Sequence, residues 1–143
     1  MSFKLLVLVA FVGASLDLAA CGGEMEAKEL EVLKICKEKT KATQDAVDKF
    51  HKMEEDLDDS KEGKCLISCS LAEFGVMNGE GAIDDGNSMA YIKATFPGHV
   101  DKVHKIWTSC QERETLGEDL CEYGHALVKC FNEEVTKEKI TKS

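Results

Sequence analysis

From residue 26 onward, apolar side chains return every three to four positions, the interval that gathers them on one face of an α-helix. Residues 26–39, EAKELEVLKICKEK, set Leu30, Leu33 and Cys36 or Lys37 one turn apart among strong helix formers. A second helix is predicted over 43–53, capped by Thr43, with Ala46, Val47 and Phe50 facing inward. The charged stretch 54–63 connects it to a third helix over about 62–76, which carries Cys65 and Cys69. NGEGAIDDGNS, residues 78–88, reads as a loop from its Gly, Asn and Asp content. Ser88 is expected to cap a short helix, MAYIKATF, that Pro97-Gly98 stops. The fifth helix is predicted over 99–113, with Val100, Val103, Trp107 and Cys110 on one stripe. After a break at Thr115 to Gly117, the sixth is predicted over 118–132. One proline in 143 residues agrees with an all-α fold, a compact bundle of about six helices.

The pattern changes at the N-terminus. Lys4 precedes the apolar run LLVLVAFVGASL, and Ala19 and Ala20 supply small residues of the kind a signal peptidase cuts after. Asp17 interrupts the run, which falls short of the roughly 20 apolar residues of a membrane span. Residues 1–21 are therefore expected to be a signal peptide, cleaved after Ala20, Cys21 or Gly22, and 22–143 a single domain ending in a short tail, 131–143. This predicts a secreted, extracellular protein without stable membrane insertion. Lys4 and Asp17 cancel, so the formal charge of −9 is unaffected by cleavage. An acidic domain with no Lys/Arg cluster argues against nucleic acid as a partner.

Secretion changes the meaning of the seven cysteines. Loss of Cys21 with the leader leaves six, an even set suited to disulfides. Cys121 and Cys130 differ by nine residues, about 900° of helix rotation, so they point to opposite sides of one helix and do not pair. Cys65 and Cys69 sit on successive turns with parallel Cβ vectors, a poor disulfide geometry. Six cysteines allow 15 pairings; three contain each barred pair and one contains both, which leaves ten. In eight of the ten the third helix is tied to two other segments, and in all ten the sixth is tethered from both sides.

The intervals between the six cysteines are 28, three, 40, ten and eight residues. This spacing resembles the insect odorant-binding proteins of the pheromone-binding and general odorant-binding type. FGVMNGEGAID (74–84) is similar to that family's loop after the third cysteine, and CEYGHALVKCF (121–131) to its last-helix motif. The resemblance covers the whole mature chain. It implies the bridges Cys36–Cys69, Cys65–Cys121 and Cys110–Cys130, one of the ten sets. It further implies a carrier that holds odorants or pheromones in an internal cavity and takes them through aqueous fluid to receptors. A chemosensory receptor and a second copy of the chain are the macromolecular partners such a role admits. The family often has Ala-Tyr three and four positions after the fifth cysteine, where this chain has Gly124 and His125. Chain entropy credits each bridge with about 3–4 kcal/mol, against a stability of roughly 5–15 kcal/mol for a domain.

Enzyme chemistry finds little support. His51, His99, His104 and His125 lack metal-ligand spacing, and neither H-E-x-x-H nor C-x-x-C occurs. NGEGAIDDGN puts Ala82 and Ile83 at the fifth and sixth positions of a would-be calcium loop, which breaks that pattern. No serine sits in G-x-S-x-G, and bridged cysteines are not nucleophiles. No catalytic residue, metal or cofactor is expected.

Helices stapled at three points can instead keep an apolar cavity open, and such a cavity accepts an apolar guest. A guest burying about 400 Å² gains about 10 kcal/mol gross at 25 cal/mol/Å². Association costs of about 4 kcal/mol leave roughly 6 kcal/mol, or tens of micromolar. The side chains expected to line this site are Leu33, Leu66, Leu71, Phe74, Val76, Met77, Met89, Ile92, Val103, Trp107, Leu127 and Phe131. Tyr91, Thr108 and Tyr123 are candidate polar handles. The tail FNEEVTKEKITKS is too short to fill a cavity but long enough to cross its mouth through Val135 and Ile140. His125 titrates in a range suited to a pH switch for release. A competing reading is a secreted interaction protein (inhibitor, toxin-like or salivary effector) acting through its surface, or a lipophile carrier outside olfaction.

Overall fold

The computed structural model describes residues 23–142, so the predicted leader, with Cys21, lies outside the described residues. Helix α1 spans 23–40. It is followed by α2 (Gln44–His51), α3 (Lys61–Glu73), α4 (Asp85–Thr95), α5 (Val100–Arg113) and α6 (Leu120–Lys137). Capping side chains set most of the starts. Thr43 accepts from the Ala46 N–H at 3.1 Å and Ser60 from the Gly63 N–H at 3.1 Å. Asp84 accepts from the Asn87 N–H at 2.8 Å and Asp119 from the Cys121 N–H at 2.9 Å. Each such cap contributes about 1 kcal/mol. Four helix ends turn through a left-handed residue: Lys41, Met53, Gly75 and Lys139.

Two predicted boundaries are corrected. The fourth helix starts a turn earlier than expected, because the Asp84 carboxylate takes the capping role assigned to Ser88. Ser88 lies inside α4 and donates to the Asp84 carbonyl at 2.8 Å. The sixth helix continues past 132 to Lys137, so the first half of the expected tail is helical. Val128, Phe131 and Val135 recur at helical spacing and are all buried, which carries the helix on. Ile140, beyond its end, is buried as well.

The three bridges are Cys36–Cys69 (α1 to α3), Cys65–Cys121 (α3 to α6) and Cys110–Cys130 (α5 to α6). Cys65 and Cys69 thus anchor α3 in two directions. Helix α3 packs along α6, and the contact is close because position 124 is glycine. A Cβ at Gly124 would sit 3.3 Å from the Ser68 Cα. Ser68 also donates to the Leu120 carbonyl at 3.1 Å, tying the two helices beside the bridge.

The apolar interior is divided. A larger cluster draws on α3 to α6 and includes Ile67, Ile92, Phe96, Val103, Trp107, Leu127 and Phe131. A smaller one joins α1 and α2 to α3 through Val32, Leu33, Cys36, Ala46, Val47 and Leu66. Phe50 and Phe74 pack against both.

Candidate functional site: an apolar cavity beside two aromatic side chains shared by both clusters

A partly enclosed cavity of about 80 Å³ lies where the larger cluster meets α1 and α2. Helix α3 and the turn after it supply Leu71, Phe74 and Val76; α4 supplies Ser88, Tyr91 and Ile92. Trp107 comes from α5, and Val128, Phe131 and Asn132 from α6. Glu29 of α1, Phe50 of α2 and Met53 complete the wall. Met53 reaches it from a left-handed backbone position, φ 55°, at the end of α2.

The aromatic walls are held in edge-to-face contacts, a favoured geometry for ring pairs. Trp107 and Phe131 have ring centres 5.7 Å apart, and Phe74 and Tyr91 5.4 Å apart. The Lys28 ammonium sits over Phe74, 5.6 Å from the ring centre. The Trp107 indole N–H donates to the Ser88 hydroxyl at 3.1 Å, so the hydroxyl is used as both acceptor and donor. Asn132 donates to the Glu54 carbonyl at 2.9 Å, which pins α6 to the segment after α2. Burial, with the Glu29 charge second, raises the Tyr91 phenol well above its usual range, so it stays a neutral hydroxyl. Glu29 is buried and ion-paired: its Oε1 accepts from the Lys142 ammonium at 2.9 Å and meets His51 Nδ1 at 3.1 Å.

Of the side chains expected from sequence, Leu71, Phe74, Val76, Ile92, Trp107 and Phe131 border the cavity. Met77, Val103 and Leu127 are buried elsewhere in the larger cluster, and Leu33 and Leu66 in the smaller. Met89 is half-buried and outside the wall. Among the polar handles, Tyr91 is in the wall, Tyr123 is packed in the core and Thr108 is exposed. His125 lies outside the wall, among Asp58, Asp59, Lys64, Glu122 and Lys129. Its Nε2 is buried without a hydrogen-bond partner among the described residues. Burial, and then the two lysines, hold its pKa below the usual imidazole range.

Sequence reasoning missed Glu29, Phe50, Met53, Ser88, Val128 and Asn132 as wall residues. Phe50 and Val128 carried a signal, since each continues an apolar helical stripe. Glu29 carried none, because a glutamate in a charged helix reads as solvent-facing.

The sequence model of the PBP/GOBP family matches residues 19–134. The chain belongs to the PBP/GOBP family. Its fold is shared with odorant-binding protein 28a from Drosophila melanogaster, with a TM-score of 0.70 at 24% identity over 83% of this chain and 98% of that one. Pheromone-binding protein 3 of Epiphyas postvittana gives 0.65 at 19% identity, over 80% and 99%. Odorant-binding protein 4 of Chrysopa pallens gives 0.64 at 22% identity, over 80% and 92%. No curated protein sequence matches. Among the described residues of this PBP/GOBP family member, no helix is long and apolar enough to cross a membrane.

Proposed function

We propose that this chain is a secreted carrier that holds a small hydrophobic molecule in the cavity between α1, α2 and the α3–α6 cluster, without catalysing a reaction. The observation that carries this reading is the apolar cavity itself, in a PBP/GOBP family member whose walls are cross-linked by three bridges. The names of its structural neighbours, odorant- and pheromone-binding proteins, support odorants or pheromones as the ligand class. Exposed large apolar side chains among the described residues are Leu30 and Leu116, single leucines of the ordinary surface kind. That favours the internal cavity over a surface effector role.

The cavity is smaller than the roughly 150 Å³ that accepts benzene. Loading therefore requires its walls to move apart, and the half-buried Phe50, Met53 and Phe74 are the side chains placed to do so. Trp107 is the single tryptophan and stands in the wall, so its emission reports occupancy directly. Titration with an apolar fluorophore, displaced by volatile or long-chain apolar compounds, is expected to show saturable binding with matching Trp107 quenching. A native protein that binds neither fluorophore nor competitor would refute the carrier reading.

A further inference from the structure

Glu29 borders two spaces. On one side is the apolar cavity; on the other is a polar recess that it shares with His51, Thr95 and Lys142. A carboxylate this deeply buried is costly unless paired. Lys142 and His51 meet that need, but both act on Oε1. Among the described residues no hydrogen bond reaches Oε2, although a carboxylate accepts on both oxygens, and this oxygen is not sealed off by the protein around it, so an incoming donor can reach it. The other polar wall groups offer less. The Ser88 hydroxyl accepts from Trp107 and donates to the Asp84 carbonyl, and Asn132, whose Nδ2 donates to the Glu54 carbonyl, has as its acceptor a neutral amide oxygen, weaker than a carboxylate.

We propose that Glu29 is the head-group acceptor of the cavity, and that the site selects apolar molecules ending in a neutral hydrogen-bond donor, a primary alcohol, over ethers and amines of the same chain length. This rests on the carrier reading above and specifies its ligand class. An ether carries no donor and would leave the second carboxylate oxygen unmatched. The Lys142 ammonium already balances the Glu29 charge, so a cationic amine would bring a second positive charge into a compensated site. An O–H donor satisfies the carboxylate without adding charge. The Tyr91 hydroxyl, neutral and in the same wall, is a second polar group at that end.

The test uses the full mature chain loaded with an anilinonaphthalene fluorophore and displaced by decanol, decyl methyl ether or decylamine. Decanol is expected to bind about tenfold tighter than the ether, the range of one hydrogen bond to a charged group. In Glu29→Gln this preference is expected to fall below about threefold while the ether's own affinity holds. Lys142→Met removes the ammonium and leaves the carboxylate, so it is expected to keep the preference for alcohol over ether. Should Glu29→Gln fail to fold, Glu29→Asp draws the oxygens back by one methylene and is expected to weaken the preference. Equal affinities for alcohol and ether in the native protein would overturn the proposal, as would an unchanged preference in the Glu29 variants. Equal loss in Lys142→Met would move the effect to the tail, and tighter binding of decylamine would refute the neutral head group. A native protein from which no compound displaces the fluorophore would instead bring down the carrier reading itself.

Discussion

Replacing Trp107 by alanine tests the cavity wall and the core at once. The indole is buried, at 5% exposure, and makes three separable contributions. Truncating a buried Trp to Ala costs about 3–5 kcal/mol through lost transfer free energy and the void left behind. The edge-to-face contact with Phe131 is worth about 0.5–1.5 kcal/mol of that loss. The hydrogen bond to Ser88 adds little, because Ser88 keeps the Asp84 carbonyl as acceptor after the indole is gone. One flank of the indole already faces the cavity, where it lacks packing partners, so the low end, about 3 kcal/mol, is expected. For a domain of this length that is a fall in Tm of roughly 10–15 °C. The assay is urea unfolding by far-UV circular dichroism, paired with fluorophore titration of the folded variant. The truncated side chain enlarges the cavity, so bulky ligands are expected to gain affinity relative to short ones. A cost below about 1 kcal/mol, or an unchanged ligand ranking in a normally folded variant, would remove Trp107 from the wall.

The bridges differ in loop length, 20 residues for Cys110–Cys130 and 56 for Cys65–Cys121, so serine pairs at these positions are expected to cost about 3 and 4 kcal/mol. A larger loss from the shorter loop, by denaturant titration, would put packing ahead of chain entropy. Gly124→Ala is expected to cost about 1 kcal/mol: overpacking against Ser68, whose backbone is held beside a bridge, outweighs the helix propensity gained. A gain in Tm would refute this. His125 has a folded pKa below the usual 6.5, so the unfolded chain takes the proton first; its contribution is complete above the unfolded value and lost as pH falls through the folded one. His125→Gln is therefore expected to flatten the loss of stability between pH 7 and pH 5, and equal slopes for the two proteins would clear this residue. Truncation after Glu134 removes the buried Val135 and Ile140 together with Lys142, the ammonium paired with Glu29, and is expected to cost at least about 3–6 kcal/mol. Ligand affinity is expected to be weaker at pH 5 than at pH 7, and less so in the truncated chain; an identical response in full-length, truncated and His125→Gln proteins would exclude both tail and histidine as the release switch.

Helix positions were legible because each carries its own local signal. Apolar residues at 3.6-residue spacing mark the faces, and Thr43 and Pro97 mark ends without reference to anything distant. Cysteine spacing carried the long-range information, since it ties particular helices together. The start of α4 was misplaced because Asp84, Asp85 and Gly86 look like a turn, while the cap is a choice among neighbouring acids. The division between wall and core was not legible. Val103 and Trp107 share one stripe, yet Trp107 meets the cavity and Val103 is packed solid. Periodicity says which residues face inward and is silent on what they face. Glu29 was out of reach for another reason: its partner Lys142 lies 113 positions away, and no local pattern encodes that pairing. Met53 depends on a left-handed backbone angle that its residue type does not announce.

The division of the interior has a consequence for how the protein yields. Helix α3 serves as a party wall, with one apolar room formed by α1 and α2 on one side and a larger one on the other. The Cys36–Cys69 bridge ties α1 to that wall, while Cys65–Cys121 and Cys110–Cys130 brace the larger room. Swelling of the cavity is then expected to part the two rooms along the joint crossed by Phe50 and Phe74, with the masonry of each left intact. A guest lodged in that joint acts as mortar. Amide exchange in α1 and α2 is thus expected to run faster than in α3 and α6 in the empty protein, and to slow most in α1 and α2 when the joint is filled.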